Sequence, residues 1–306
     1  MTIRHLRIFI EVADCGKMSA AAEKLYISQP TVSQAIKELE DYYGVLLFER
    51  IGKKLYITEK GEKLLFYARN VVKQFDDMEE KMFKGNYIEK IRIGATMTVG
   101  SCLINDIIRS FSEQNPQVEV YSYVNNTKEI EERLLKSELD IAVVEGEVKS
   151  PDLVSIPEVH DFLVLACSTK HPFAEKKVLR LSDLASEPFA MREEGSGTRA
   201  LFERYMADNR MPIRIAFEGN SSSSIKKAVI ENRYLAVLSI RLLEEEMKRG
   251  QIYVFRNSDH DWDRYFSIVY HKNKMITKEM NNLMDVVRSY KHVEILRDTD
   301  FGKIMK

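Results

Sequence analysis

Between Ser28 and Lys37 the chain sets short hydroxyls, amides and one cation at helical spacing, with no acid from Tyr26 to Ile36. Read as a helix, this stretch puts Val32, Ile36, Leu39 and Tyr43 on one face and Gln29, Thr31, Ser33, Gln34 and Lys37 on the other. Amides and hydroxyls of this kind can bond base edges in the major groove of DNA, and a Ser or Thr at a helix N-terminus can hold a phosphate. The alternative is a solvated helix face, although such faces usually mix Glu with Lys. Here Glu38, Glu40 and Asp41 gather in the C-terminal half. A second cluster, Arg50, Lys53 and Lys54, puts three positive charges within five residues, which suits contact with phosphate.

Four loops further along carry polar groups of a different kind. They are Thr96-Met97-Thr98-Val99-Gly100-Ser101, Asn125-Asn126-Thr127, Glu194-Gly195-Ser196-Gly197-Thr198 and Gly219-Asn220-Ser221-Ser222-Ser223-Ser224. Each follows a strand-like run or precedes a helix-like one. Hydroxyls and free N–H groups at helix N-termini favour an anion or a carboxylate. Simple capping by Thr127, Thr198 and Ser223 is the competing explanation, and only convergence of the loops on one cleft favours a site.

Catalysis finds no support in the residues, and no enzyme activity is expected. Ser196 lies in Gly-Ser-Gly and lacks the G-x-S-x-G elbow, and the six histidines show neither H-E-x-x-H nor any other close metal spacing. No metal or cofactor is expected. Three separated cysteines, Cys15, Cys102 and Cys167, fit neither a disulfide framework nor a zinc site. Cys102 adjoins the first polar loop, which leaves a thiol-reactive input conceivable.

The elements that must position these groups can be read from the same pattern. Leu6, Phe9, Ile10 and Ala13 mark a first helix ended by Gly16, and Ser19 is the expected cap of a second helix over Ala20–Leu25. A turn at Tyr26 and Ile27 leads to a third helix capped by Ser28, with Pro30 in its first turn and Gly44 at its end. Val45–Glu49 and Leu55–Thr58 read as two strands joined by the basic turn, which makes a winged helix. From Thr58 to about Lys84 there is no proline, and Leu64, Ala68, Val71, Phe75, Met78 and Met82 repeat every three or four residues. That period makes a seam between paired helices; packing on the chain's own core is the alternative. Lys84-Gly85-Asn86-Tyr87 reads as a hinge, and beyond it strands alternate with helices, implying a parallel sheet with helices on its faces.

Length and charge set the outer bounds. A chain of 306 residues suggests about two domains, or three if one is small. Lys plus Arg total 46 against 47 Asp plus Glu, and 44% of residues are apolar, as in an ordinary globular protein. Residues 1–60 hold nine basic and eight acidic groups, so any DNA-binding surface must be a narrow basic edge within a balanced whole. No run of about 18 apolar residues offers a membrane span and the N-terminus does not read as a signal peptide, so a cytoplasmic location is expected.

The run Leu6, Phe9, Val12, Ser19, Ala21-Ala22, Leu25, Ser28-Gln29-Pro30, Val32-Ser33, Ile36, Leu39-Glu40, Gly44, Leu47-Phe48, Arg50, Leu55, Thr58 and Gly61 resembles the DNA-binding domain of LysR-type transcriptional regulators. Ile91–Ala95, Glu138–Ala142 and His171-Pro172-Phe173 resemble the effector-binding domain of the same family. The resemblance implies an α/β protein: a winged helix-turn-helix over 1–58, a linker helix and hinge over 59–87, and an effector domain over 88–306. That domain would resemble periplasmic binding proteins, with lobe I at 88–162 and 266–306 and lobe II at 163–265. It further implies DNA contact by Ser28, Gln29, Pro30, Thr31, Ser33, Gln34, Lys37, Arg50, Lys53 and Lys54. Thr96, Thr98, Ser101, Thr127, Ser196 and Thr198 are the implied contacts of a small effector between the lobes. The implied partners are double-stranded promoter or operator DNA, that effector, a second copy or a tetramer of this chain, and RNA polymerase. A periplasmic-type solute-binding protein would share the lobes but would have no use for residues 1–84.

Overall fold

The computed structural model describes residues 1–51, 54–84, 89–292 and 301–306. The chain divides into two compact units, Met1–Ile88 and Glu89–Lys306.

The first unit contains helices α1 (Ile3–Cys15), α2 (Met18–Lys24) and α3 (Gln29–Tyr43), a hairpin of β1 (Phe48–Ile51) and β2 (Lys54–Ile57), and the long helix α4 (Glu59–Lys84). Leu6, Ile8, Phe9 and Val12 of α1 pack with Ala21, Ala22, Val32, Ala35, Ile36 and Leu39, whereas Ile10 and Ala13, expected on this face, lie at its margin. Tyr43, expected to point inward, is exposed. The second helix begins two residues before the expected start, with Lys17 in place of Ser19 at the cap. Ser28 does cap α3, its Oγ accepting from the Thr31 N–H at 3.3 Å. The first wing strand starts three residues later than expected, where the Glu40 carboxylate accepts the N–H groups of Leu47 (2.8 Å) and Phe48 (3.3 Å), and the second starts one residue early. Gly61, in the first turn of α4, lets that turn pass close to the start of the wing. A Cβ there would stand 2.3 Å from the Leu47 carbonyl oxygen, so any larger residue would push the linker helix off the wing.

The second unit is a two-lobed α/β structure. In chain order it contains β3 (Glu89–Thr96), α5 (Met97–Cys102), α6 (Ile104–Gln114), β4 (Val118–Asn125), α7 (Thr127–Leu135), β5 (Ile141–Glu145) and β6 (Leu153–Ser168). There follow β7 (Val178–Arg180), β8 (Pro188–Arg192), α8 (Gly197–Asp208), β9 (Arg214–Gly219), α9 (Ser222–Asn232) and β10 (Ala236–Ser239). The remainder is α10 (Glu244–Lys248), β11 (Ile252–Asn257), β12 (Asp263–His271), α11 (Lys278–Ser289) and β13 (Gly302–Met305). In lobe I the strand order is β4-β3-β5-β12-β6, with β3 parallel to both neighbours and β12 antiparallel to β5 and β6. Strand β6 then runs on into lobe II, where Leu163–Ser168 pair with β10 on one side and β11 on the other. One strand therefore serves two sheets, and the lobes meet at Phe162–Leu163. The Leu163 N–H donates to the carbonyl of Trp262, a fully buried residue whose ring meets Phe202 and Tyr205 edge-on.

The single helix expected over Val99–Phe111 is two, broken where Leu103 leaves helical geometry. The C-terminus also departs from expectation. Residues after 266 were expected in lobe I, yet β13 lies in lobe II, parallel to β11 and to β7.

Candidate functional site

The outward face of α3 is built as its sequence suggested. Ser28, Gln29, Pro30, Thr31, Gln34 and Lys37 are exposed, Ser33 is half-buried, and Ser28 and Thr31 share a hydroxyl bond of 2.7 Å. Arg50 is exposed on β1, opposite Leu55 in the ladder. Lys53 and the side chain of Lys54 lie outside the described residues, as does most of the expected hinge. Sequence reasoning passed over Tyr26, which is 95% exposed at the turn before α3. Its φ of +55° is a left-handed conformation unusual for a tyrosine. Arg7–Asp76 and Arg69–Asp14 ion pairs fasten α1 to α4.

Helix α4 divides along its length. Its first half contributes Leu64, Leu65, Ala68 and Val72 to the core of its own unit, while Val71, Met78, Met82 and Phe83 remain exposed. The alternative of packing on the chain's own core thus holds for the first half of the stripe, and the rest of the stripe is left exposed. A helix of 26 residues, roughly 39 Å long, reaches well past the small domain it packs on.

In the second unit the six hydroxyls expected at one site are distributed. Thr96 Oγ1 accepts the Glu145 N–H at 3.1 Å, and Thr127 donates to the Glu145 carbonyl at 2.9 Å. These bonds pin the ends of β3, β5 and α7 together. Thr127 is not a cap; Asn126 caps α7, accepting the Glu129 N–H at 3.0 Å. Ser101 stands at the lobe seam, where Ser222 of α9 donates to it at 3.5 Å. Thr198 accepts from Arg264 at 3.0 Å. The hydroxyls of Thr98 and Ser196 are buried and have no partner among the described residues.

Thr127 and Ser196 do meet, in a groove of about 820 Å³ between the lobes. Its walls include Lys128 and Leu135 of α7, Gly197 and Arg204 of α8, and Arg264 and Tyr265 of β12. The N-terminal ends of α7 from lobe I and α8 from lobe II thus open into one cavity. Gly197 lets the lobes approach, since a Cβ there would lie 3.0 Å from the Glu145 carbonyl and 3.1 Å from Gly146 Cα.

Beneath the groove is a charge cluster that no local pattern of residues announces. Arg264, nearly fully buried, pairs with Asp161 at 2.8 Å and Glu145 at 2.9 Å, so it ties the end of β5 in lobe I to the crossing strand and, through Thr198, to lobe II. Burial alone would pull its pKa down, but the Glu145 and Asp161 carboxylates outweigh burial and hold it above the ordinary value. Asp161, wholly buried, also accepts from Ser239 at 2.6 Å and faces Arg241 at 3.9 Å. Arg241 donates to the carbonyls of His160, Tyr290 and His292. The Cys102 thiol shares this neighbourhood; desolvation, reinforced by Asp161, pushes its pKa up to about 12. At neutral pH it stays a protonated thiol, the unreactive form. No cluster of metal-ligating side chains, and no helix long and apolar enough to cross a membrane, occurs among the described residues.

Two family models match the chain: the LysR substrate binding domain over residues 85–291, and the bacterial regulatory helix-turn-helix protein of the lysR family over residues 3–62. The HTH-type transcriptional activator CmpR of Synechocystis is 30% identical over 286 residues, covering 93% of this chain and 94% of that protein. In fold, the chain is similar to a full-length OxyR variant from Pseudomonas aeruginosa, with TM-score 0.68, 24% identity, and 94% and 95% of the two chains covered. It is also similar to the regulatory domain of Synechocystis CcmR in complex with 2-PG, with TM-score 0.62, 24% identity, 67% of this chain covered and 99% of that one.

Proposed function

We propose, for a chain that belongs to the LysR family of bacterial DNA-binding transcriptional regulators, that a small anionic effector seated between the lobes of its second unit controls how it engages DNA. The observation that carries this reading is the convergence of two helix N-termini, one from each lobe, on the same groove, beside Lys128 and the unpartnered Ser196 hydroxyl. Helix N-termini favour negative charge. The likeness to a regulatory domain solved with 2-PG supports a ligand of that charge. An effector that binds one lobe arrangement better than the other shifts the population toward it, and the shift is read as altered DNA bending or polymerase contact.

In this reading α3 lies in the major groove with Ser28, Gln29, Pro30, Thr31, Ser33, Gln34 and Lys37 toward the duplex, and Arg50, Lys53 and Lys54 meet phosphates. The second half of α4 pairs with its copy in a homodimer, two of which can join as a homotetramer; the exposed Met78, Met82 and Phe83 support this. Thr96, Thr98, Ser101 and Thr198 shape the cleft around Thr127 and Ser196. The protein acts in the cytoplasm on promoter DNA. A gel-shift on DNA from upstream of its own gene, with and without small carboxylates and phosphorylated acids, tests this. A retarded band altered by at least one such acid is expected, and no band on any neighbouring promoter under either condition overturns the reading.

A further inference from the structure

Gln34 does not project freely from α3. Its amide nitrogen donates to Glu38 Oε1 at 2.9 Å, one turn along the same helix. The other carboxylate oxygen, Oε2, lies 2.8 Å from His5 Nε2 of α1. His5 Nδ1 takes the Thr2 backbone N–H at 3.2 Å, so that nitrogen is the acceptor and Nε2 carries the proton donated to Glu38. Glu38 is therefore fixed from a second helix, and the bonds from Gln34 and His5 hold its carboxyl below the usual range.

A carboxylate only accepts, so it selects one of the two orientations of the Gln34 amide: nitrogen toward Glu38, oxygen away. The carbonyl oxygen and the second N–H have no partner among the described residues and face solvent together. One donor beside one acceptor matches N7 and the N6 amino group of adenine. Guanine offers two acceptors at that edge, thymine an acceptor and a methyl, and cytosine a donor. An amide free to flip would also sample the opposite order.

We propose that Glu38 is a positioning residue that fixes the amide of Gln34 in the orientation that reads adenine, making it a determinant of sequence specificity without touching a base. This rests on the reading that α3 faces DNA. Neither the acidic residue nor its spacing suggested such a role, since Glu38 falls where acids collect at the far end of the contact face.

The test is selection of binding sites from a randomised duplex library by the full-length protein, compared among the native chain, Glu38→Ala and Glu38→Gln, with Gln34→Ala marking the position that Gln34 reads. The native chain is expected to enrich adenine at that position in each half-site. Glu38→Ala should cut that preference about tenfold, within the discrimination a bidentate contact supplies, and leave the other positions unchanged. Glu38→Gln should lose less of it, because its one amide oxygen can still accept the Gln34 N–H, in competition with the His5 N–H. Unchanged preference in Glu38→Ala, a base other than adenine at that position, or equal loss in both Glu38 variants overturns the inference. Failure of the native chain to enrich any motif overturns instead the DNA-binding reading beneath it.

Discussion

Replacing Arg264 with Met removes the cation that joins both lobes while keeping most of the side-chain volume. Three contacts disappear: Asp161 at 2.8 Å, Glu145 at 2.9 Å and Thr198 at 3.0 Å. Asp161 keeps its bond from Ser239 and the more distant Arg241, so the larger loss falls on Glu145, only 2% exposed and with no other ion pair among the described residues. Breaking one side of a buried pair costs about 3–5 kcal/mol, most of it from the charge left behind. For a unit of this size each kcal/mol moves the melting temperature by about 2–4 °C, so a fall of about 10 °C is expected. Differential scanning fluorimetry of the full-length chain measures it. Adding Glu145→Gln to Arg264→Met should restore at least half of the loss by removing the stranded charge. A fall below about 3 °C, or a double variant no more stable than the single one, would refute the assignment of Arg264 as the bolt between lobes.

Further expectations concern acid stability, assembly and binding. Desolvation lowers the His271 pKa to about 4, so this group is neutral in the fold at pH values where the unfolded chain is protonated. Its contribution is intact above pH 6.5 and is lost as pH falls toward 4, by at most about 3 kcal/mol. Denaturant titrations at several pH values should show a flatter acid limb for His271→Asn. Glutamates at Met78 and Met82 should weaken self-association at least a hundredfold by sedimentation; unchanged sedimentation would remove α4 from the dimer. Ser196→Ala should hold or raise the melting temperature by about 1–3 °C, since it deletes a buried unpartnered hydroxyl, yet lower the affinity for a groove-bound acid in calorimetry. Lys37→Ala should reduce the slope of log affinity against log salt by about 1, whereas Gln34→Ala should keep the slope and relax site preference.

What could be read from the sequence was local. Ser28 with Pro30 starts α3, and Gly16 and Gly44 stop helices at left-handed positions, because caps act on residues three or four away. Ser19 does not cap α2: the helix begins at Met18 with Lys17 at the cap position, and Ala21 and Ala22 pack into the core with α1. The candidate effector residues were legible only as polar loops. Their division between Thr127 and Ser196 in the groove and Ser101 at the seam depends on how two lobes close. Arg264, Glu145 and Asp161 left no trace, since Arg264 and Asp161 lie 103 positions apart and no spacing rule links them. Glu145 and Asp161 each end or interrupt an apolar run, which is equally what an ordinary strand end looks like.

The strand β13 joins β7 to the rest of the lobe II sheet, pairing Ile304 with Leu179 and Lys303 with Val178. Residues near 180 must therefore wait for residues near 304 before they gain their ladder partner. On the ribosome, lobe I gains β12 and its packing helix α11 only shortly before β13 emerges, and β13 is the last strand of either lobe to arrive, so lobe II closes last. A nascent chain stalled before residue 302 would carry finished DNA-reading helices on a sensor with an open sheet edge, a state exposed to pairing with other chains. The timing of synthesis, and not only the final contacts, thus bears on when the regulator becomes able to respond.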